Sequence, residues 1–285
     1  MEIAVISGKG GTGKSSISAA FATINEEVVL ADCDVDAANL YLLFNPSHEE
    51  EEVYVAGYKA VVNNDLCTGC GICYKACRFE AISIKDSKAV ISGLSCEGCF
   101  LCLRICPEKA VTMVPNDKSR MYSGRFRNGR MVYGILAPGE ENSGKLVNMV
   151  REKARQISKE TGMEKVILDG PPGTGCPVIS TVTGVDKVVI VTEPTISGLH
   201  DMQRAIEIVL KFNLKPGIII NKSDLNPMMT GKIREWCKNN DITVAGELPF
   251  DERVTEAMVN GKSIIEYDSR LEISKGILKI WNNIS

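Results

Sequence analysis

Eight of the eleven cysteines in this sequence fall into two runs that share one spacing, C-x2-C-x2-C-x3-C. The runs are Cys67, Cys70, Cys73 and Cys77, and then Cys96, Cys99, Cys102 and Cys106. Thiolates at such short and regular intervals can bind metal, because a single loop brings several of them together. A disulfide framework is typical of small secreted proteins and fits a chain of 285 residues less well.

The spacing is typical of bacterial proteins with two [4Fe–4S] clusters, in which the fourth cysteine of each run binds the other cluster. It predicts one cluster on Cys67, Cys70, Cys73 and Cys106, and a second on Cys96, Cys99, Cys102 and Cys77. Structural zinc is the alternative, since four cysteines also bind zinc, but the duplicated triplet favours iron–sulfur clusters. Pro107 follows the second run as the pattern requires, whereas Arg78 replaces the proline after the first.

A second constellation, near the N-terminus, could bind a nucleoside triphosphate. Gly8-x-x-x-x-Gly13-Lys14-Ser15 matches the phosphate-loop pattern and lies between an apolar run and a helical pattern. Lys14 is expected to reach the β- and γ-phosphates, and Ser15 is expected to bind Mg²⁺. The predicted ATP-binding residues of this segment are Gly8, Lys9, Gly10, Gly11, Thr12, Gly13, Lys14, Ser15 and Ser16.

The elements that must position these residues are short apolar runs separated by helical patterns. The runs lie at 2–7, 27–34, 165–172, 187–194 and 216–224, and each ends in polar or turn residues. This alternation predicts an α/β fold with a mostly parallel sheet and helices on both faces. Ligands of such sheets bind at the carboxyl ends of the strands, where the candidate residues lie.

The middle of the chain repeats itself with an offset of 29 residues, since Cys67 corresponds to Cys96 and the "AIS" at 81–83 to the "AVT" at 110–112. A strand, a four-cysteine loop and a strand occur twice, which predicts an internally duplicated α+β ferredoxin-like domain. The predicted boundaries are 58–118 for this insert and 1–57 with 119–285 for the surrounding domain. The acid run at 49–52 is expected to be a solvated loop, and 121–136 a hairpin around Asn128-Gly129.

The phosphate loop "GKGGTGKS" contains an additional lysine, Lys9, and resembles the deviant loop of the MinD family. That family includes the nitrogenase iron protein, the ParA partition ATPases and the Mrp-type cluster carriers, and its early lysine crosses a dimer interface to the partner's nucleotide. The resemblance implies catalytic roles for Lys9, Lys14 and Asp34, of which Asp34 in "ADCDVDAANL" would position the attacking water. It also implies that Asp169 in "ILDGPPGTG" lies near Mg²⁺ together with Ser15.

Two further segments resemble the base-binding residues of the same family. Asn221 in "IIINKSD" matches the asparagine that contacts adenine, and Pro249 and Asp251 in "ELPFDERVTEA" match the loop that closes over the base. The resemblance and the cysteine runs together imply ATP, Mg²⁺ and two [4Fe–4S] clusters as cofactors.

Cys176 lies seven residues after Asp169, a spacing at which the nitrogenase iron protein has a cysteine that helps hold a cluster across its dimer interface. Residues 119–165 contain no second candidate cysteine, so a symmetric dimer would offer two thiolates, one from each chain. Two interpretations are open: a bridging or transient cluster site, and a buried cysteine that packs as a small hydrophobic side chain.

Composition limits the classes of partner. The formal net charge is −3, and the chain has neither a basic excess for nucleic acid nor an apolar run of about 18 residues or a leader. We therefore expect a cytoplasmic protein with no nucleic-acid binding and no stable membrane association.

The resemblance implies a dimeric ATPase, as a homodimer or as a heterodimer with a paralogue. It would couple ATP hydrolysis to iron–sulfur or metal-cluster handling, by cluster assembly and transfer or by gated electron transfer to a cluster-accepting or redox partner protein. The alternatives are a spatial-positioning switch of the MinD/ParA type and an ATP-dependent reductase of a small substrate.

Overall fold

The computed structural model describes residues 1–140 and 143–285 of the chain. These residues form two compact units. Unit 1 comprises residues 1–51, 121–135 and 143–285, and unit 2 comprises residues 52–120 and the described residues from Leu136 to Glu140.

The helices and strands of the described residues alternate along most of the chain. In chain order they are β1 (Glu2–Ser7), α1 (Lys14–Ile24), β2 (Val28–Asp32), α2 (Leu40–Phe44), β3 (Glu50–Tyr54), β4 (Gly57–Val62), α3 (Ile72–Ala76), β5 (Ile82–Lys85), β6 (Lys88–Ile91), α4 (Leu101–Ile105), β7 (Val111–Asn116), β8 (Ser119–Phe126), β9 (Gly129–Ile135), α5 (Ser143–Thr161), β10 (Lys165–Pro172), α6 (Cys176–Val182), β11 (Lys187–Thr192), α7 (Ile196–Leu210), β12 (Gly217–Ile220), α8 (Pro227–Asn239), β13 (Thr243–Glu247), α9 (Arg253–Val259), α10 (Ile264–Tyr267) and α11 (Glu272–Ile284).

One sheet of nine strands organises unit 1, in the order β13-β12-β11-β1-β10-β2-β9-β8-β3. Every pairing from β13 to β9 is parallel. The five residues of β2 and all six of β1 are buried, as expected for parallel strands covered on both faces. The α/β fold with a mostly parallel sheet is therefore confirmed.

The helices cover the sheet because their apolar stripes fit its faces. Ile3 and Val5 of β1 belong to a core cluster that also contains Phe21 of α1 and Trp281 of α11. Successive side chains of a strand point to opposite faces, so the buried Ile6 faces the other layer. None of the described helices is both long and apolar enough to cross a membrane.

The hairpin predicted for residues 121–136 is present as β8 and β9, which a two-residue turn at 127–128 joins. The loop expected at the acid run is wrong, because β3 extends the sheet there as its edge strand. Edge strands tolerate charged side chains, since one side of the strand faces solvent. Glu50 uses this position to pair with Lys153 and to accept a hydrogen bond from Ser123 at 3.1 Å.

Unit 2 consists of two short antiparallel ribbons and two one-turn helices. Strand β4 pairs with β7, and β5 pairs with β6. Helices α3 and α4 occupy corresponding positions of the two sequence repeats, at 72–76 and 101–105. Each repeat therefore contributes one helix to unit 2 and one strand to each of the two ribbons.

A buried ion network joins α5 to β1 and to the end of α6. Arg151 of α5, whose side chain is 2% exposed, donates to Glu2 at 2.9 Å. The same guanidinium donates to the carbonyl oxygens of Ser180 and Thr183. Arg155 binds the second carboxylate oxygen of Glu2 but is 41% exposed. Arg151 therefore satisfies a buried carboxylate and two carbonyl groups at once.

Replacement of Arg151 by methionine should lower the free energy of unfolding of unit 1 by about 3 kcal/mol, because it removes the buried partner of Glu2. The matched change Arg155→Met should cost about 1 kcal/mol or less, since that guanidinium is partly solvated. Urea unfolding followed by tryptophan fluorescence measures both, because the chain's two tryptophans, Trp236 and Trp281, lie in unit 1. Equal losses in the two variants would contradict the assigned role of Arg151.

Candidate nucleotide site and cysteine sites

The phosphate loop connects the buried strand β1 to the first turn of α1. Gly13 immediately precedes α1 and has a left-handed backbone with φ of 88°. A Cβ at this position would lie 2.3 Å from Nδ2 of Asn221. That amide donates to the carbonyl oxygen of Thr12 at 2.8 Å, so the end of β12 and the loop are fastened together. Glycine is required here by both backbone conformation and space.

Lys14, Ser15 and Asp169 meet at the carboxyl end of the sheet. Nζ of Lys14 lies 2.9 Å from Oδ1 of Asp169 and 3.7 Å from Oδ2 of Asp34. The hydroxyl of Ser15 donates to Oδ2 of Asp169 at 2.7 Å, and the hydroxyl of Ser18 donates to Oδ1 at 2.7 Å. The two residues predicted to bind Mg²⁺ are thus in direct contact.

The charges of this cluster compensate one another. Burial acts to lower the pKa of Lys14, but the carboxylates of Asp169, Asp34 and Asp32 outweigh it, so the pKa is raised. Burial raises the pKa of Asp34, and the ammonium of Lys14 opposes that shift. Lys14 therefore stays protonated and can interact with phosphate oxygens.

Asp32, which the sequence did not identify as a site residue, shapes the segment that follows β2. Its carboxylate accepts hydrogen bonds from the backbone N–H groups of Asp34, Asn39 and Leu40 at 3.2, 3.1 and 3.1 Å. Burial and the nearby charge of Asp169 raise the pKa of Asp32. The sequence signal for Asp32 was an acidic residue at the last position of a buried strand. Its hydrogen bonds to backbone N–H groups further along the chain could not be inferred from the sequence.

A groove that we call the base groove lies beside the phosphate loop. Its walls include apolar side chains from α1, α9, α10 and α11 and polar groups from the segments after β12 and β13. The lining residues are Gly11, Gly13, Ser16, Ile17, Asn221, Lys222, Leu248, Pro249, Phe250, Asp251, Val254, Thr255, Ile264, Ile273 and Ile277. Asn221, Pro249 and Asp251 therefore lie together, and an apolar floor with polar groups at its rim suits a planar base.

A second groove, the phosphate groove, continues from the first. Its lining residues are Ser7, Gly10, Gly11, Thr12, Gly13, Lys14, Ser15, Ser16, Asp34, Asp36, Ala37, Asn39, Pro171, Pro172, Gly175, Pro177 and Met258. Gly11, Gly13 and Ser16 line both grooves. The arrangement can hold a base at one end and phosphates and a divalent cation at the other.

Lys9 does not point into either groove. Its ammonium lies 2.6 Å from Oε1 of Glu193, just beyond β11, and donates to the hydroxyls of Thr195 and Ser197. Lys9, which is predicted to act across a dimer interface, is thus held here by side chains of its own chain.

The cysteines of unit 2 accept hydrogen bonds from backbone N–H groups. Ala60 donates to Sγ of Cys96 at 3.5 Å, and Ala89 donates to Sγ of Cys67 at 3.5 Å. Ala60 and Ala89 are 29 residues apart, as are Cys67 and Cys96, so each pair occupies equivalent positions of the two repeats. Each repeat thus donates a hydrogen bond to the first cysteine of the other. Ala110 donates to Sγ of Cys106 at 3.3 Å. Hydrogen bonds from Ala89 and Gly69 lower the pKa of Cys67, which favours its thiolate.

A cavity in unit 2 collects cysteines from both runs. Its lining includes Cys77 from the first run with Cys96, Cys99 and Cys102 from the second, which is the set predicted for one cluster, and also Cys73. Apolar and aromatic side chains complete the wall, among them Phe79, Phe100, Ile82, Ile91 and Met113. Among the described residues, no three His, Cys, Asp or Glu side chains converge as ligands of a single metal ion.

Cys176 is the first residue of α6, close to the phosphate groove that Gly175 and Pro177 line. Its side chain is exposed. The interpretation of Cys176 as a buried packing residue is therefore wrong, because the cysteine starts the helix on its solvent side.

Sequence comparison places these features among known proteins. The family model described as the CobQ/CobB/MinD/ParA nucleotide binding domain matches residues 3–264. An uncharacterized protein of Methanocaldococcus jannaschii is 36% identical over 289 residues, which cover 100% of this chain and 96% of that protein. The iron-sulfur cluster carrier protein of Aquifex aeolicus is 24% identical over 168 residues, 53% of this chain and 46% of the relative.

Structure comparison gives the same fold. The septum site-determining protein MinD of Pyrococcus horikoshii, complexed with Mg-ADP, superposes with a TM-score of 0.59 at 17% identity. The match covers 99% of this chain and 94% of that chain.

Replacement of Gly13 by alanine should lower the free energy of unfolding of the nucleotide-free protein by about 2 kcal/mol. The cost arises from the left-handed backbone and from displacement of the Asn221 amide. Gly10→Ala is the matched control, since a Cβ there meets nothing within 4 Å and the backbone is not left-handed. That variant should stay within about 0.5 kcal/mol of the wild type in thermal or urea unfolding. Equal stability of the two variants would refute the packing described for Gly13.

Proposed function

The chain belongs to the CobQ/CobB/MinD/ParA family of nucleotide-binding domains, and we propose that it is a dimeric ATPase that handles iron–sulfur or related metal clusters. The observation that carries the proposal is the presence of two complete residue sets in one chain. Lys14, Ser15 and Asp169 contact one another at the carboxyl end of the sheet, and eight cysteines fall into two runs with one spacing. Hydrolysis of ATP does not by itself need the cysteine runs, and cluster binding does not by itself need the nucleotide site.

The nucleotide chemistry follows from the groups that line the grooves. Lys14 leaves part of its contact with Asp169 to bind the β- and γ-phosphates, and the N–H groups of the phosphate loop bind the remaining oxygens. Ser15 and Asp169 would hold Mg²⁺, which would supply positive charge to neutralise the phosphates. Asp34, on the wall of the phosphate groove, orients the attacking water. Asn221, Pro249 and Asp251 hold the base.

Catalysis in this proposal requires a second chain. Lys9 of one protomer adds positive charge to the phosphates bound by its partner, which stabilises the charge that develops in phosphoryl transfer. The partner is a second copy of this chain or a paralogue. The family assignment and the additional lysine of the loop support this arrangement.

The cysteine-rich unit is the proposed site of two [4Fe–4S] clusters. The cavity lined by Cys77, Cys96, Cys99 and Cys102 matches one predicted ligand set, and backbone donors to cysteine sulfurs suit bound thiolates. A cluster distributes its four thiolates over four irons, so they need not converge on one point. Such clusters supply one-electron chemistry and can be cargo for another protein.

The partner of this ATPase in the proposal is a protein that accepts a cluster or an electron. The name of the Aquifex aeolicus relative, an iron-sulfur cluster carrier protein, supports cluster transfer, although it matches only part of each chain. We extend the proposal to Cys176, whose exposed position at the start of α6 would let a symmetric dimer present two thiolates to a shared or transient cluster.

The first test concerns turnover. Because each site needs Lys9 from a partner, ATP turnover per chain should rise with protein concentration in the dilute range. Lys9→Ala should lower turnover by about 10³-fold or more and leave most nucleotide binding intact. Asp34→Ala should bind ATP, fail to hydrolyse it and accumulate as a dimer.

The control for Asp34 is Glu27→Ala, which removes an exposed carboxylate just before β2, outside both grooves. It should retain ATP-dependent dimerisation and most of the turnover. Turnover that is independent of protein concentration, or normal hydrolysis by Asp34→Ala, would refute the proposed dimer mechanism.

The second test concerns metal content. Protein purified without oxygen should contain about eight irons and about eight sulfides per chain, the content of two [4Fe–4S] clusters. Cys77→Ser should remove iron mainly from the cluster of the second run, and Cys106→Ser from that of the first. Cys237→Ser, which changes a buried cysteine of unit 1, is the control and should retain full iron. Zinc in place of iron would overturn the assignment.

A further inference from the structure

The ammonium group of Lys9 is bound by acceptors of its own chain that use all of its hydrogen-bonding capacity. Its ammonium lies 2.6 Å from Oε1 of Glu193 and donates to Thr195 Oγ1 at 3.1 Å and to Ser197 Oγ at 3.0 Å. An ammonium has three protons to donate, so these acceptors engage each of them. Thr195 is itself fixed as the N-cap of α7, since its hydroxyl accepts from the N–H of Gly198 at 2.9 Å.

Glu193 lies between two lysines. Its second oxygen, Oε2, is 3.3 Å from Nζ of Lys222, and that ammonium also donates to the carbonyl oxygen of Gly11 at 3.0 Å. The side chains of Lys9 and Glu193 are only 26% and 18% exposed. Burial acts to raise the pKa of Glu193, but its hydrogen bonds from Lys9 and Lys222 outweigh it and lower the pKa. The carboxylate is therefore ionised and fully engaged.

We propose that Glu193, Thr195 and Ser197 form a latch that holds Lys9 within its own chain and competes with the nucleotide of a second chain for it. This inference rests on the proposed dimeric ATPase. A lysine whose three protons are engaged at the end of β11 cannot at the same time bind phosphates across an interface. Dimerisation with ATP must therefore break one latch in each protomer.

The latch is built to open at low cost. When Lys9 leaves, Glu193 retains the ion pair with Lys222, so its partly buried carboxylate is not left without a cation. The single negative charge of Glu193 attracts Lys9 less strongly than the higher negative charge of a triphosphate does. The nucleotide bound by the partner chain can therefore displace Glu193 from Lys9. The latch thus sets a threshold: chains remain apart until both protein and ATP concentrations are sufficient.

Glu193→Gln tests the latch directly, because the amide keeps the shape of the side chain and removes its charge. A partly exposed ion pair of this kind corresponds to a factor of about three to five in an equilibrium constant. A symmetric dimer breaks two latches, so the dimer dissociation constant should fall about tenfold to 25-fold. Sedimentation velocity of the full chain with Mg²⁺ and a non-hydrolysable ATP analogue measures that constant without any contribution from turnover.

Three further measurements complete the design. Ser197→Ala removes one acceptor and should shift the constant in the same direction by a smaller factor. Glu207→Gln removes an exposed carboxylate from α7 and should leave the constant unchanged. Thermal unfolding of the nucleotide-free variants verifies that each is folded.

The possible results separate the latch from the function on which it rests. Dimerisation of the wild type with an unchanged constant in Glu193→Gln overturns the latch and leaves the dimeric ATPase standing. A higher dissociation constant in Glu193→Gln also overturns it, since Glu193 would then prepare Lys9 for binding rather than withhold it. A wild type that stays monomeric with the analogue at all concentrations overturns both.

Discussion

The nucleotide side of this structure depends on one buried negative charge, the carboxylate of Asp169. Its side chain is fully buried at the carboxyl end of a central strand, where an unpaired carboxylate would be very costly. Lys14 supplies the compensating charge, and the hydroxyls of Ser15 and Ser18 complete the coordination of both oxygens. The backbone carbonyl of the same residue accepts from the N–H of Cys33 at 2.8 Å, which fixes the end of β2 as well. The phosphate loop and the segment after β2 are thus both arranged around this one carboxylate.

Much of this arrangement follows from local sequence, and the remainder does not. The buried strands, the phosphate loop and the hairpin at 121–136 were predictable, because apolar runs, glycine spacing and turn residues act over a few neighbours. The position of the Lys9 ammonium was not predictable, since it depends on Glu193, which the fold brings in from the distant segment after β11. The edge strand β3 was missed for a similar reason. Its glutamates indicate solvent exposure, which an edge strand and a loop provide equally.

The cysteine-rich unit shows how a repeat in sequence becomes a shared site. The offset of 29 residues predicts two similar halves, and the cysteine spacing predicts that each run supplies its fourth ligand to the other. The structure shows this exchange in the backbone: Ala60 of the first repeat donates to Cys96 of the second, and Ala89 of the second donates to Cys67 of the first. Cys77 crosses in the same way into a cavity with Cys96, Cys99 and Cys102. Each repeat therefore supplies backbone donors to a cysteine of the other, and the cavity combines cysteines of both.

The position of the insert in the chain is physically informative. The N-terminus of α2 is held by Asp32, whose carboxylate also orients the backbone of Asp34 beside the phosphate groove. Tyr41 of α2 stacks on Tyr133 of β9 at 4.9 Å between ring centroids, and Tyr133 stacks on Tyr122 of β8 at 5.1 Å. Strand β8 begins where the chain returns from unit 2. Packed aromatic rings resist gradual deformation, so these stacked tyrosines fix α2 against β9 and β9 against β8 within unit 1.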